Sequence, residues 1–272
     1  MSRRVVVVAL VAACGGGEVD RPTVFGGDRP VTLDVPPSLT GADYPLVLIL
    51  HGYGFSGFFQ KAYLGLDDVA ARDDAFVLAP DGLIDSTGKQ FWNADPSCCD
   101  FEHRNPDDVA YLGGLLDDVM RAWPIDPRRV RVIGHSNGGF MTYRMACERA
   151  DVITSVVVLA GDAVSVPCNP TESVHVLHIH GTQDDTVSFA GAAPSVAEWA
   201  AHNGCGDGRV PGEAFDLDAA VDGAETETTT VTGCPVGGRV EQWTLNGSGH
   251  VPNLTAAFDA PISQWWTDHP RP

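Results

Sequence analysis

Short apolar runs alternate with helical patterns along most of this 272-residue chain, and this alternation constrains the fold more than any other feature. The clearest apolar runs are YPLVLIL at 44–50, ITSVVVLAG at 153–161 and SVHVLHIHG at 173–181. Between them stand helical segments, of which 106–123 has the strongest amphipathic period. Strands that alternate with helices form βαβ units, so we predict an α/β fold with a mostly parallel central sheet flanked by helices.

Further segments extend this pattern. Helices are predicted at 64–74 and at 193–204, and a strand is predicted at 239–245. A closing helix is predicted at 254–269, with a kink at Pro261. In sheets of this kind ligands bind at the carboxyl ends of the strands, so functional residues are expected just after the apolar runs.

One such junction has the sequence RVIGHSNGGF at 131–140, in which Ser136 lies between Gly134 and Gly138. A G-x-S-x-G pattern alone is common by chance, but here a buried strand precedes it and a helical pattern follows it. The two glycines remove side chains that a sharp strand-to-helix turn would crowd. These features predict a nucleophile elbow, with Ser136 as the nucleophile.

A serine hydroxyl is a weak nucleophile and needs an adjacent base. With a serine elbow of this kind the chain order is serine, acid, histidine, which leaves His202, His250 and His269 as candidate bases. His202 falls inside a predicted helix, and His269 falls near the end of the chain. His250 follows a predicted strand on the glycine-rich loop NGSGH, so we predict that it is the base.

The acid that orients His250 must lie between the serine and the histidine. Asp184 and Asp185 follow the strand at 173–181, and Asp162 follows the strand at 153–161. Adjacent side chains on a loop point in different directions, so only one of Asp184 and Asp185 can serve. The residues alone leave these three candidates open.

An oxyanion hole needs two N–H donors near the serine. Asn137 supplies one at the predicted helix N-terminus, and the loop HGYG at 51–54 follows an early strand. We therefore assign the second donor to the backbone N–H of Tyr53. Exposed aromatic residues such as Phe55 are expected at the mouth of the cleft.

The N-terminal segment predicts export. A basic start and a short apolar run end at Cys14, a pattern typical of a lipoprotein-type signal segment over 1–14. Residues 15–28 are predicted to be a flexible leader, and 29–272 a single catalytic domain. The expected location is extracellular or envelope-anchored in a bacterium, with contact to membrane only through a lipid on Cys14.

Six further cysteines in an exported chain predict three disulfides. Cys205 and Cys234 flank a polar, threonine-rich segment and are expected to pair. The sequence leaves three pairings open for the remaining four, which are Cys98, Cys99, Cys147 and Cys168. The two adjacent cysteines of the segment CCDFEH are poorly placed to bind one zinc ion with tetrahedral geometry, so no metal is expected.

The formal net charge of −19 argues against nucleic-acid binding, which needs clustered Lys and Arg. We expect a monomer whose partner is a small-molecule, oligomeric or polymeric ester. No cofactor is expected, because a serine, a histidine and a carboxylate can perform acyl transfer unaided.

The chain resembles exported α/β-hydrolase esterases of the polyhydroxybutyrate-depolymerase-like and feruloyl-esterase-like family. The matching stretches include LILHGYG, FWNADPSCCD, GHSNGGFMTYRMACERAD and HIHGTQDDTV, in family order. The resemblance implies that Asp184 is the acid. It also implies that Trp92 and Asn93, in FWNADP, line the substrate cleft.

The predicted function is hydrolysis of a carboxylic ester through an acyl-enzyme. Feruloyl or acetyl polysaccharide esters and short hydroxyalkanoate esters fit equally well. The alternatives are an acyl transferase or peptidase with the same triad, and a non-catalytic binding lipoprotein on a hydrolase scaffold.

Overall fold

An eight-stranded sheet forms the centre of the computed structural model, which describes residues 21–39, 41 and 43–272. The strands are β1 Val24–Phe25, β2 Val31–Thr32, β3 Tyr44–Leu50, β4 Phe76–Leu78, β5 Leu83–Ile84, β6 Gln90–Phe91, β7 Ile125–His135, β8 Ser155–Leu159, β9 His175–Gly181, β10 Arg209–Pro211, β11 Thr226–Val231 and β12 Val240–Leu245. The α-helices are α1 Gly57–Tyr63, α2 Val69–Arg72, α3 Asp108–Ala122, α4 Asn137–Glu148, α5 Ala192–His202 and α6 Asp259–Asp268.

The order of the strands in the central sheet is β10-β11-β12-β9-β8-β7-β3-β4. The six strands from β12 to β4 are parallel, and β10 and β11 join one edge as an antiparallel pair. The predicted α/β fold with a mostly parallel sheet is therefore confirmed. Because β7 lies between β8 and β3, the elbow that follows it emerges near the middle of the sheet.

Two apolar layers cover the faces of the sheet. Along β3, Leu46, Leu48 and Leu50 point into one layer, and Val47 and Ile49 point into the other. The first layer packs against α3, α4 and α5, and the second packs against α2 and α6. Both faces of the parallel strands are buried, which explains their continuous apolar runs.

Several boundaries differ from the sequence predictions. The helix predicted at 64–74 is reduced to α2, because Gly65 has a φ of +64° and interrupts it. The predicted closing helix begins only at Asp259. Pro261 therefore lies in its first turn, where no backbone N–H is needed, and the predicted kink is wrong.

The predicted flexible leader is also wrong over its described part. Val24 and Phe25 form β1, which pairs with β2, and the Phe25 side chain is buried in the core. The Trp123 indole N–H donates to the carbonyl of Pro22 at 2.8 Å. Burial of Phe25 thus ties residues 22–25 to the domain. The predicted signal segment, with Cys14, lies outside the described residues.

No helix among the described residues is both long enough and apolar enough to cross a bilayer.

Candidate active site

The junction between β7 and α4 places Ser136 on a strained turn. Ser136 has φ +56° and ψ −122°, a conformation rare for a residue with a side chain. A Cβ on Gly134 would lie 2.2 Å from the carbonyl oxygen of Gly138, and a Cβ on Gly138 would lie 2.2 Å from that of Leu50. Only glycine fits at both positions, so the turn can bring Ser136 to the edge of the sheet.

Three side chains from separate loops meet at this edge. His250 Nε2 lies 2.8 Å from Ser136 Oγ, and His250 Nδ1 lies 2.8 Å from Asp184 Oδ2. The carboxylate oxygen accepts, so Nδ1 carries the ring hydrogen and Nε2 is free to accept from the serine hydroxyl. The structure therefore brings together the three residues to which sequence analysis gave catalytic roles.

Asp184 is held by its own loop. Its side chain is fully buried, and Oδ1 accepts from the backbone N–H groups of Thr186 and Val187, each at 2.9 Å. Oδ2 remains for His250. The neighbouring Asp185 is exposed. Asp162 makes no hydrogen bond to His250 within the described part of the chain, so of the three candidate acids Asp184 alone contacts the histidine.

The other two candidate bases make no hydrogen bond to Ser136 within the described part of the chain. His202 ends α5, with Nε2 3.5 Å from the Glu198 carboxylate. His269 Nδ1 hydrogen-bonds to the carbonyl of Trp265. Both interactions are local to the helices that carry them.

The loop that carries His250 is anchored by two residues that sequence analysis missed. His135 Nε2 donates to the carbonyl of His250 at 2.8 Å, and the Tyr63 hydroxyl donates to the carbonyl of Pro252 at 2.9 Å. Burial lowers the pKa of His135 to about 4, so its ring stays neutral and keeps this geometry near neutral pH. The signal for His135 was its position directly before the serine.

Two backbone N–H groups border the serine. The loop after β3 comes close to it, since a Cβ on Gly52 would lie 3.5 Å from Ser136 Cβ. Gly52 N–H donates to Gln60 Oε1 and Gly54 N–H donates to the carbonyl of Gln90, whereas Tyr53 N–H has no acceptor within residues 43–272. Asn137 N–H, at the first position of α4, likewise has none there. Both donors are available to a ligand.

The predicted cleft residues have different environments. Phe55 is 45% exposed. Asn93 is half-buried, and its side-chain amide donates to the carbonyl of Pro106 at 2.9 Å. Trp92 is fully buried in the core, so its assignment to the cleft is wrong. Its indole N–H instead donates to the carbonyl of His51 at 3.1 Å, because a buried indole needs a hydrogen-bond acceptor.

The six cysteines of the described domain form three disulfides. Cys205 pairs with Cys234 as expected. Of the pairings left open, the structure has Cys147 with Cys168 and Cys98 with Cys99.

Three side chains beside the site have ligand atoms close enough for a metal ion. Atoms of Asp162, His178 and His180 lie within 4.8 Å of one another. However, His178 Nε2 and His180 Nδ1 already hydrogen-bond to each other at 3.1 Å. A second such group among the described residues includes Cys168, whose sulfur is in a disulfide.

Several proteins that resemble this chain in sequence or in structure are named as esterases. No family model matches the chain. Feruloyl esterase B of Piromyces equi is 28% identical over 247 residues, which cover 82% of this chain and 42% of that protein. Feruloyl esterase D of Neurospora crassa is 25% identical over 272 residues, covering 92% of this chain and 85% of that protein. The chain thus spans less than half the length of the first relative.

Solved structures show the same fold. Acetyl xylan esterase from Aspergillus awamori has a TM-score of 0.67 at 14% identity, covering 91% of this chain and 96% of that chain. A carboxylesterase from Bacillus cereus has a TM-score of 0.60 at 15% identity, covering 88% and 93% respectively. The sheet, the elbow and these neighbours define an α/β-hydrolase fold. In sequence the chain is similar to feruloyl esterases, at 28% and 25% identity to the two named above.

Proposed function

We propose that this protein is a serine carboxylic-ester hydrolase that acts on feruloyl or acetyl esters of polysaccharide. The observation that carries the proposal is the pair of 2.8 Å contacts that links Ser136, His250 and Asp184. The sequence relatives named as feruloyl esterases and the structural neighbour named as an acetyl xylan esterase support this class of substrate.

The geometry suits acyl transfer in two stages. Ser136 Oγ attacks the ester carbonyl while His250 Nε2 takes the hydroxyl proton, and Asp184 stabilises the imidazolium that forms. The N–H groups of Tyr53 and Asn137 donate to the oxyanion of the tetrahedral intermediate. Its collapse breaks the ester C–O bond, and His250 returns the proton to the departing alcohol. Water then repeats the sequence on the acyl-enzyme and releases the acid.

We also place the protein outside the cytoplasm. Three disulfides in a domain of this size support an oxidising compartment. Attachment through a lipid on Cys14, and a monomeric state, remain parts of the proposal.

The test is a pre-steady-state burst assay with a p-nitrophenyl short-chain ester. The wild type is expected to release one equivalent of nitrophenol per protein rapidly, as the acyl-enzyme forms. Ser136→Ala should remove the burst and lower kcat about 10⁴-fold or more. Ser38→Ala, which removes an exposed hydroxyl, is the matched control and should leave both unchanged.

Substrate class is then compared with methyl ferulate, acetylated xylan oligomers and hydroxybutyrate oligomers. The proposal expects the highest kcat/KM on one of the first two. Highest kcat/KM on hydroxybutyrate oligomers would overturn the substrate class. A folded wild type with neither burst nor turnover would overturn the hydrolase itself.

A further inference from the structure

A line of buried polar side chains leads from the core to Asp184. The Tyr143 hydroxyl lies 2.8 Å from His178 Nδ1, and His178 Nε2 lies 3.1 Å from His180 Nδ1. His180 Nε2 lies 2.9 Å from the carbonyl of Val187 and 3.2 Å from Asp184 Oδ2. The line therefore ends beside the carboxylate oxygen that accepts from His250.

The end of this line determines where its hydrogens lie. A carbonyl oxygen can only accept, so His180 Nε2 carries a hydrogen and donates it to the carbonyl of Val187, with Asp184 Oδ2 3.2 Å from the same nitrogen. His180 Nδ1 is then the acceptor for His178 Nε2–H. His178 Nδ1 in turn accepts from the Tyr143 hydroxyl. Every donor in the line therefore points towards the loop that carries Asp184.

Burial keeps the supporting groups in these forms. Tyr143, His178 and His180 are all fully buried. Burial lowers the pKa of His178 to about 3 and raises the pKa of Tyr143 well above its usual range. The ring of His178 is thus neutral, and the hydroxyl of Tyr143 keeps its hydrogen near neutral pH.

The line ends in contact with Asp184 and with the loop that holds it. Oδ1 accepts from the N–H groups of Thr186 and Val187, and Oδ2 accepts from His250 and lies 3.2 Å from His180 Nε2. Rotation of the carboxylate would break these hydrogen bonds and move Oδ2 away from the His180 ring. His180 therefore borders Oδ2, and its hydrogen bond to the carbonyl of Val187 holds the residue whose N–H donates to Oδ1.

We infer that His180 is a positioning residue for the reaction. His178 and Tyr143 keep the His180 ring oriented, and that ring keeps the Asp184 carboxylate oriented towards His250. This inference rests on the proposed function, because it assigns His180 a role in the same triad. It adds a residue that lies on β9, four positions before the acid, and that does not contact the substrate.

The same histidines could instead bind a metal with Asp162, one of whose carboxylate oxygens, Oδ1, is buried with no partner among the described residues. The hydrogen-bonded arrangement is favoured, because it gives every ring nitrogen of His178 and His180 a partner without an ion. The metal alternative is an outcome of the test below.

The test compares two substitutions of His180. His180→Leu removes the hydrogen bond to Val187 and the polar contact with Asp184, and kcat is expected to fall about 10- to 100-fold with KM within about twofold, because Asp184 is then less firmly oriented. His180→Gln places an amide N–H near the position of Nε2 and should recover most of that loss. His175→Leu, a buried histidine on the same strand, is the matched control for stability.

Proton NMR gives a readout independent of turnover. The His250 Nδ1 proton in its hydrogen bond to Asp184 should resonate far downfield. This resonance should shift or broaden in His180→Leu, return towards its wild-type position in His180→Gln and stay unchanged in His175→Leu. A purely structural role for His180 would lower thermal stability and leave this resonance in place.

The outcomes separate the two proposals. Ser136-dependent turnover with kcat unchanged in His180→Leu would overturn the role of His180 and leave the hydrolase standing. If kcat falls in both His180 variants and falls equally in His175→Leu, the effect is one of stability. That result would also overturn the role of His180. Stoichiometric zinc in the purified protein, removed together with activity by a chelator, would assign the cluster to a metal. No turnover in the wild type would overturn the hydrolase, while the NMR comparison would still test the contact with Asp184.

Discussion

The side chain of Asn137 makes two hydrogen bonds with the backbone of Trp92, accepting from its N–H at 2.8 Å and donating to its carbonyl at 3.0 Å. The Trp92 indole in turn donates to the carbonyl of His51. The residue after the serine is thus joined, through a buried tryptophan, to the loop that carries Tyr53. The two candidate oxyanion donors therefore belong to one rigid unit.

Asn137→Asp should disrupt this unit. The substitution preserves shape but replaces the amide donor with an oxygen that faces the Trp92 carbonyl, in a site with no exposed surface. We expect the free energy of unfolding to fall by about 2–3 kcal/mol and kcat to fall with it, measured by urea denaturation and steady-state kinetics. Asn246→Asp is the control, because the Asn246 amide is exposed and donates to the Glu225 carbonyl. It should lower the free energy of unfolding by less than about 1 kcal/mol. Equal effects at both positions would contradict this account.

Gly138→Ala should damage both the elbow and the strand beside it. The new Cβ would lie 2.2 Å from the carbonyl oxygen of Leu50 and 2.7 Å from that of His51, and backbone cannot move aside easily. We expect a loss of about 2 kcal/mol or more in unfolding free energy. Gly114→Ala, on the exposed side of α3 with no atom near its Cβ, should instead add about 0.5–1 kcal/mol. Thermal denaturation of the two variants checks the opposite signs.

The Cys147–Cys168 disulfide closes a loop of 21 residues and ties the end of α4 to the segment after β8. Replacing both cysteines by alanine should lower the free energy of unfolding by about 3 kcal/mol, because the unfolded chain gains conformational freedom. Urea denaturation of the double variant beside the wild type, both without reductant, measures this. An unchanged midpoint would show that this disulfide does not contribute to stability.

Stability should decrease in mild acid. Burial lowers the pKa of five histidines, among them His51, His135 and His175 to about 4 and His178 to about 3, with His269 shifted in the same direction. In the unfolded chain each regains a pKa near 6.5, so the unfolded state binds more protons between about pH 6.5 and pH 4. The stabilisation is complete above that range and is lost as the pH falls through it.

The measurement is the free energy of unfolding at several pH values across this range. His175→Asn removes one titrating ring while keeping an acceptor for the Arg239 N–H, so its stability should depend less steeply on pH than that of the wild type. A wild-type stability that is flat across the range, or that rises on acidification, would contradict the prediction.

Local patterns in the sequence determined the architecture and the order of the site. The apolar runs, the glycines around Ser136 and the loop position of His250 are local features, and each follows from sterics and burial within a few residues. They predict which residues stand at the carboxyl ends of strands. The choice of Asp184 over Asp185 came from resemblance, because the direction of a side chain on a loop is not a local property of the sequence.

Tertiary structure alone decided what lies around those residues. The sequence around Trp92 fits a cleft residue and a core residue equally well. In the folded chain Trp92 packs in the first apolar layer and is buried. Phe25 looked like part of a leader until burial beside the sheet held it in the domain. In the sequence His180 is only one more residue of a buried strand. Alternation along the strand predicts that His178 and His180 lie on the same face, but it does not predict which side chains pack against that face. Contacts between segments far apart in sequence, such as Tyr143 with His178 and Asn137 with Trp92, depend on how the elements pack, and only the folded chain specifies them.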